Sequence, residues 1–148
     1  MYSKKYLDAQ LAVALGGRVA EEIVFGEDEV TTGASNDLQQ VRNIARRMVA
    51  QWGFANEYLG DAPVAWETPE GNGLANGQMA SAATEKAIDE QVQRITQTVY
   101  ERCKELLTEN KALMDELTEK LIAEETVDYE ELAKMRDAHF AKRDAVAA

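Results

Sequence analysis

Apolar residues recur every fourth position near the start of the chain: Leu7, Leu11, Leu15, Val19 and Ile23, with Ala14 widening the stripe. That spacing keeps the side chains on one face and predicts a first helix, with Ser3 as its N-cap. Gly16 and Gly17 interrupt the pattern. Each glycine costs about 0.5–1 kcal/mol against alanine in a helix interior. The pair therefore predicts either a second backbone passing close by or a bend. Arg18 and Glu22 are four apart and can pair on the surface.

A charged turn over 26–29 and a short extended piece, Val30-Thr31-Thr32, lead to Gly33-Ala34-Ser35-Asn36-Asp37. Ser35 or Asn36 is the expected cap of a second helix, with Asn36 and Gln39 forming a pair like a capping box. Leu38, Val41, Ala45, Met48, Val49 and Trp52 line one face, and Gly53 sits where a C′ glycine would end it. Periodicity then fails over 54–79. Both prolines, Pro63 and Pro69, fall here with four glycines. A loop this long in a compact domain is usually functional or mobile. Asn72-Gly73 and Asn76-Gly77 are turn signals that allow a small hairpin.

The strongest helical pattern follows. Ile88, Val92, Ile95, Val99, Cys103, Leu106 and Leu107 share a face, with Thr84 as the expected cap and Asn110 as the break. Leu113, Leu117 and Leu121 mark a fourth helix. The short link predicts an antiparallel hairpin of helices three and four. Asp128 and Glu131 form a capping box for a fifth helix, with Val127 stapling onto Leu132. Met135 and His139 continue its face, and 145–148 are expected to fray. The fold class is therefore all-α: about five helices in a bundle, with a long Pro/Gly loop between helices two and three.

Length and charge narrow the function classes. The chain has 148 residues, the size of one domain, and a net charge of −11. That balance argues against nucleic acid as a partner, because phosphates need a basic face, and against an anionic membrane surface. No apolar run approaches the roughly 18–20 residues needed to span a bilayer. The single cysteine, Cys103, excludes an internal disulfide, fits a reducing compartment, and reads as a small buried apolar residue.

Motifs for nucleotide phosphates, a serine nucleophile elbow and Cys-x-x-Cys are absent. One histidine cannot build a His-Glu-x-x-His zinc site, and His139 reads as a packed side chain. The many carboxylates read as a solvated acidic face rather than a sugar-cleaving pair. Asp37 admits two readings. An acid in the first turn of a helix is favoured by the helix dipole and free amides. Alternatively, Asp37 is a hard oxygen ligand held at a helix start by a glycine-containing turn.

Gly16-Gly17-Arg18-Val19-Ala20-Glu21-Glu22, followed by Val30-Thr31-Thr32-Gly33-Ala34-Ser35-Asn36-Asp37-Leu38, resembles the FtsH family of ATP-dependent zinc metalloproteases. The likeness continues through Ala45-Arg46-Arg47-Met48-Val49, Trp52-Gly53-Phe54, Ile88-Asp89-Glu90-Gln91-Val92, Tyr100-Glu101-Arg102, Leu106-Leu107-Thr108-Glu109-Asn110 and Glu125-Thr126-Val127-Asp128. It covers nearly the whole chain and is weakest in the Pro/Gly loop and the last dozen residues.

The resemblance implies that Asp37 is the third protein ligand to zinc, beside two histidines of a His-Glu-x-x-His helix that this sequence does not contain. Three protein ligands leave an open position for water, which zinc acidifies for attack on a peptide carbonyl. Glu21 and Glu22 are rival oxygen ligands and are ranked as supports, including as ion-pair partners of Arg18.

The resemblance also implies a division into 1–53 (helices on the zinc side), 54–79 (loop) and 80–148 (C-terminal helical bundle), together forming one truncated peptidase domain. Family members carry a membrane anchor and an AAA ATPase module, through which alone ATP and the membrane would enter. They act on protein substrates as hexamers, in membrane protein quality control at the bacterial inner membrane or at thylakoid and other organelle membranes. The chain is expected to start several dozen residues past the zinc-binding histidines, to be a soluble segment, to hold zinc only weakly and to be inactive alone. A truncated, non-catalytic paralogue that binds or regulates full-length subunits is the alternative. A helical adaptor unrelated to proteolysis has only the composition in its favour.

Overall fold

A computed structural model describes residues 1–55, 62–68 and 80–147. Among them it contains five α-helices and no strand: α1 (Lys4–Phe25), α2 (Ser35–Ala50), α3 (Ala82–Glu109), α4 (Lys111–Glu124) and α5 (Tyr129–Ala147). The all-α expectation holds. Residues 62–68 contain no strand, and both Asn-Gly turn signals lie outside the described residues. The chain forms two compact units, 1–104 and 105–148.

In the first unit, α1 begins where Ser3 Oγ accepts the Tyr6 amide at 3.2 Å. It ends at Gly26, whose φ of +87° suits glycine and whose N–H returns to the Glu22 carbonyl. Leu7, Leu11, Ala14, Leu15 and Val19 are buried on its inner stripe. α1 packs against α2, which buries Val41, Ala45, Met48, Val49 and Ala50. Leu11, Val19, Met48, Val49 and Ile88 are the largest fully buried side chains. Each such residue stabilises the fold by about 1.5–3 kcal/mol.

Gly16 and Gly17 sit within an unbroken α1. A Cβ on either would meet nothing within 4 Å, so no backbone among the described residues approaches them.

Three expected details of α2 are corrected. Its cap is neither Ser35 nor Asn36; no side chain caps the helix proper. A 3₁₀ turn, Thr32–Ala34, runs directly into it, and Thr31 caps that turn by accepting the Gly33 amide. The turn supplies the helical bonding that a cap would otherwise replace. Leu38 does not join the buried face; it is 43% exposed. The helix ends at Ala50 with Gln51 as its cap, so Gly53 is not the C′ residue; it stands two positions beyond the cap, left-handed at φ +61°.

Past α2, the segment 62–68 docks onto its end. The Trp66 and Glu67 amides both donate to the Ala50 carbonyl, at 2.7 and 3.0 Å. Trp66, Val92 and Ile95 pack on a cluster of Val49, Ala50, Ala55, Ala80 and Ile88. Arg46 binds Glu67, Glu85 at 2.7 Å and Asp89 at 3.2 Å, tying α2 to this segment and to α3.

α3 is capped by Ser81, whose hydroxyl accepts the Thr84 amide at 3.2 Å, and not by Thr84 itself. Three residues separate donor and acceptor, which is the N-cap geometry.

In the second unit, the expected hairpin of the third and fourth helices is corrected. Asn110 does not turn the chain: its amide donates to the Leu106 carbonyl and its own carbonyl accepts the Met114 amide. Helical bonding therefore carries across the link. The packed pair is α4 with α5. α4 ends at Glu125, left-handed at φ +60°. The capping box is present: Asp128 Oδ1 accepts the Glu131 amide at 2.9 Å, and the Asp128 amide points to Glu131 Oε2 at 3.4 Å. α5 runs to Ala147.

Candidate functional site

The block that carries Asp37 is positioned by a carboxylate from α1. Glu21 accepts the Thr31 amide at 2.8 Å, and the Thr31 hydroxyl lies 3.2 Å from both carboxylate oxygens. Thr31 Oγ1 in turn accepts the Gly33 amide at 3.2 Å. A Cβ at Gly33 would stand 3.2 Å from that same Oγ1, so a side chain here would press on the clamp. Ser35 Oγ donates to the Thr32 carbonyl at 2.5 Å, closing the turn from the helix side. The extended reading of 30–32 holds for Val30 and Thr31 only; Thr32 already belongs to the 3₁₀ turn.

Asp37 follows as the third residue of α2, in the helix's first turn. It is exposed. Among the described residues no hydrogen bond or ion pair engages its carboxylate. The dipole of the helix favours a negative charge there. A hard carboxyl oxygen at the rim of a pinned turn has the chemistry of one zinc or calcium ligand. It is not a complete site: among the described residues no three His, Cys, Asp or Glu side chains come together as a metal cluster.

Glu22, the neighbour of the clamp, is engaged otherwise. Arg18 Nε donates to it at 2.9 Å, and the Tyr100 hydroxyl of α3 donates at 2.5 Å. The Arg18 hydrogen bond, then that of Tyr100, holds the Glu22 carboxyl below its ordinary range. The same bond pushes the Tyr100 phenol up, with burial adding to it. Both glutamates thus carry structural bonds, and neither presents a free carboxylate as Asp37 does.

The remaining candidates fall outside this site. Cys103 is buried, its thiol pushed up by burial and its Sγ 3.7 Å from the Ala12 carbonyl. His139 Nε2 lies 3.1 Å from Asn110 Oδ1, and its ring meets Phe140 edge-on. Its packed reading holds. Two residues that sequence reasoning missed are Tyr100 and Arg46. Tyr100 is 78 residues from Glu22, and no local spacing links them. For Arg46, the run of Glu67, Glu85 and Asp89 is legible only once three segments meet.

Against known proteins, residues 1–135 match the model of peptidase family M41. The chain is 50% identical over 137 residues to ATP-dependent zinc metalloprotease FtsH 3 of Synechocystis sp., covering 89% of this chain and 22% of that protein. It is 41% identical over 140 residues to ATP-dependent zinc metalloprotease FTSH 1, chloroplastic, of Arabidopsis thaliana, covering 91% of this chain and 19% of the relative. A Synechococcus ATP-dependent zinc metalloprotease FtsH is 41% identical over 138 residues, with 91% and 22% covered. The chain spans about a fifth of the length of these relatives.

Proposed function

The chain belongs to peptidase family M41 and corresponds to the C-terminal peptidase region of FtsH proteins, and on that premise we propose that it supplies one wall of a zinc protease site, with Asp37 as its metal ligand. The observation that supports this is the open Asp37 carboxylate at the start of α2, behind a turn pinned by Glu21. In this reading residues 1–53 supply the metal-side helices of one peptidase domain, 80–148 its C-terminal part, and 54–79 the stretch of chain between them. Zinc, when bound, acidifies a water for attack on a peptide carbonyl.

This chain's residues do the positioning. Glu21 holds Thr31, Thr31 holds Gly33, and the turn leads into the start of α2 that carries Asp37. Glu22 and Arg18 brace α1 beneath. The complete protein degrades protein substrates with ATP at a membrane, as a hexamer, with this segment on the soluble, reducing side. One carboxylate does not hold zinc tightly, so the isolated chain binds it substoichiometrically and does not hydrolyse peptides.

A chimera tests this. The matched region of the Synechocystis relative is replaced by this chain, and Asp37→Asn is introduced. The expected result is loss of bound zinc and of casein hydrolysis, by at least a hundredfold, with ATP hydrolysis retained. Retention of zinc and proteolysis would overturn the assignment of Asp37. A tight one-to-one zinc site in the isolated 148-residue chain would overturn the shared-site reading.

A further inference from the structure

Between Val19, the last buried residue of α1, and Val41, the first of α2, only Ala34 is buried. This thinly packed stretch holds the Glu21 clamp and carries Asp37. In the last turn of α1, Val24 and Phe25 are largely exposed. Segments with few buried apolar contacts open locally at low free energy. Polar ties must therefore hold the end of α1 if Glu21 is to stay in place beneath Thr31.

Two such ties start from one turn of α3. The Tyr100 hydroxyl donates to Glu22 Oε2 at 2.5 Å. Lys104 Nζ stands 4.0 Å from Glu27 Oε1, in the turn that follows α1, and also lies over the Tyr100 ring. Between them in sequence, Cys103 sets its Sγ against the Ala12 carbonyl. The Tyr100 arm is the stronger. The Glu22 side chain is only 8% exposed, so little water competes for it. Lys104 and Glu27 are both exposed, and their pair is screened. Glu21 and Glu22 are neighbours on the helix, about 100° apart around its axis. One carboxylate thus serves the loop before Asp37, and the other serves α3.

We infer that Tyr100 is a positioning residue for the metal ligand: by anchoring Glu22 to α3 it fixes the last turn of α1, and with it the Glu21–Thr31 clamp whose turn runs into Asp37. The inference deepens the zinc-site reading above and rests on it for the identity of the ligand. Tyr100 touches neither metal nor peptide. It acts through Glu22, Glu21, Thr31 and Gly33 in turn.

The first test follows amide exchange at Thr31 and Gly33 in the intact 148-residue chain. Tyr100→Phe should quicken both severalfold. Ser81→Ala, which gives up the cap at the N-terminal end of α3, should leave both unchanged. With Glu21→Gln already present, Tyr100→Phe should add little, because the clamp it steadies is gone. The second test uses the chimera with the Synechocystis relative. There Tyr100→Phe should lower zinc affinity about tenfold in competition with a chelator, the lower end of what residues that orient a metal's ligands contribute. Casein hydrolysis lost at limiting zinc should return at excess zinc. Unchanged exchange in Tyr100→Phe, equal quickening in Ser81→Ala, or unaltered zinc affinity would each overturn the inference. Zinc retained by Asp37→Asn, with exchange still quickened by Tyr100→Phe, would instead reject the ligand assignment and keep the link between α3 and the clamp.

Discussion

The Tyr100 hydroxyl donates to Glu22 at 2.5 Å, joining α3 to α1 across 78 residues of sequence. A hydrogen bond to a charged group contributes about 1.5–3 kcal/mol. Tyr100→Phe removes the donor and leaves the ring, so urea denaturation should show a loss near the lower end of that range, since Arg18 still serves Glu22. Combining Tyr100→Phe with Glu22→Gln should give less than the sum of the single losses, because the two share one bond. Strict additivity would mean that the contact does not form in solution.

Acid should act through the same pair. The Glu22 carboxyl is lowered from an ordinary 4.5, chiefly by the Arg18 hydrogen bond and then by Tyr100. As pH falls, the unfolded chain takes up its proton first. The stabilisation is therefore complete above pH 4.5 and is lost as pH falls below it, through the lowered value of the folded state. Glu22→Gln should be less stable than the native chain at pH 7, and the gap should narrow as the pH falls below 4.5. A gap that is constant with pH would remove the ionised carboxylate from the account.

The clamp before Asp37 makes a local prediction. Glu21→Gln keeps the size of the side chain but weakens its acceptance of the Thr31 amide and hydroxyl. The site is exposed, so the global cost should be small, about 1 kcal/mol. Amide exchange at Thr31 and Gly33 should quicken severalfold, while exchange in the middle of α2 stays as it was. Uniform quickening throughout α2 would point to a general loosening instead.

Much of this architecture was legible from spacing alone. The stripe Leu7 to Val19, the Ser3 cap and the Asp128–Glu131 box depend on residues within a few positions of one another. Local spacing expresses such features directly. The misreadings arose where a rival local structure or a tertiary contact intervened. A 3₁₀ turn fed α2 and made a side-chain cap at Ser35 or Asn36 unnecessary. Asn110 continued helical bonding instead of turning the chain. The Glu21–Thr31 bond was also out of reach, because it joins an α1 carboxylate to a loop amide ten residues on.

Ser81 and Thr84 separate two readings of the start of α3. The Thr84 amide donates to Ser81 Oγ, so Ser81→Ala should cost about 1 kcal/mol, the usual value for losing an N-cap. Thr84→Ala leaves that bond in place and gives up only the contact between the two hydroxyls. Thermal denaturation should therefore rank Ser81→Ala as clearly the more damaging. The reverse order would restore Thr84 as the cap.

Arg46 offers the sharpest structural test, since one guanidinium serves three carboxylates: Glu67 beside α2's end, and Glu85 and Asp89 on α3. The Glu85 hydrogen bond, ahead of the Glu67 bond, raises the Arg46 pKa, so the group stays charged throughout the physiological range. Arg46 is only about a quarter exposed, whereas Asp89 is mostly in solvent, so the Asp89 arm contributes least. Arg46→Met keeps much of the apolar stem and deletes the fork. It should cost about 2 kcal/mol, most of it from leaving Glu67 and Glu85 without their partner. The loss should also be visible next door. Glu67 follows Trp66, whose amide is bonded to Ala50 and whose ring packs on the Val49–Ile88 cluster. Freeing Glu67 should loosen that segment, shifting the emission of Trp66 to the red when Trp52 has been replaced by Phe in both proteins. High salt should lower the stability of the native chain more than that of Arg46→Met, because only the former has the ion pairs to screen. Unchanged emission and stability in Arg46→Met would show that the segment 62–68 is held by its backbone bonds alone.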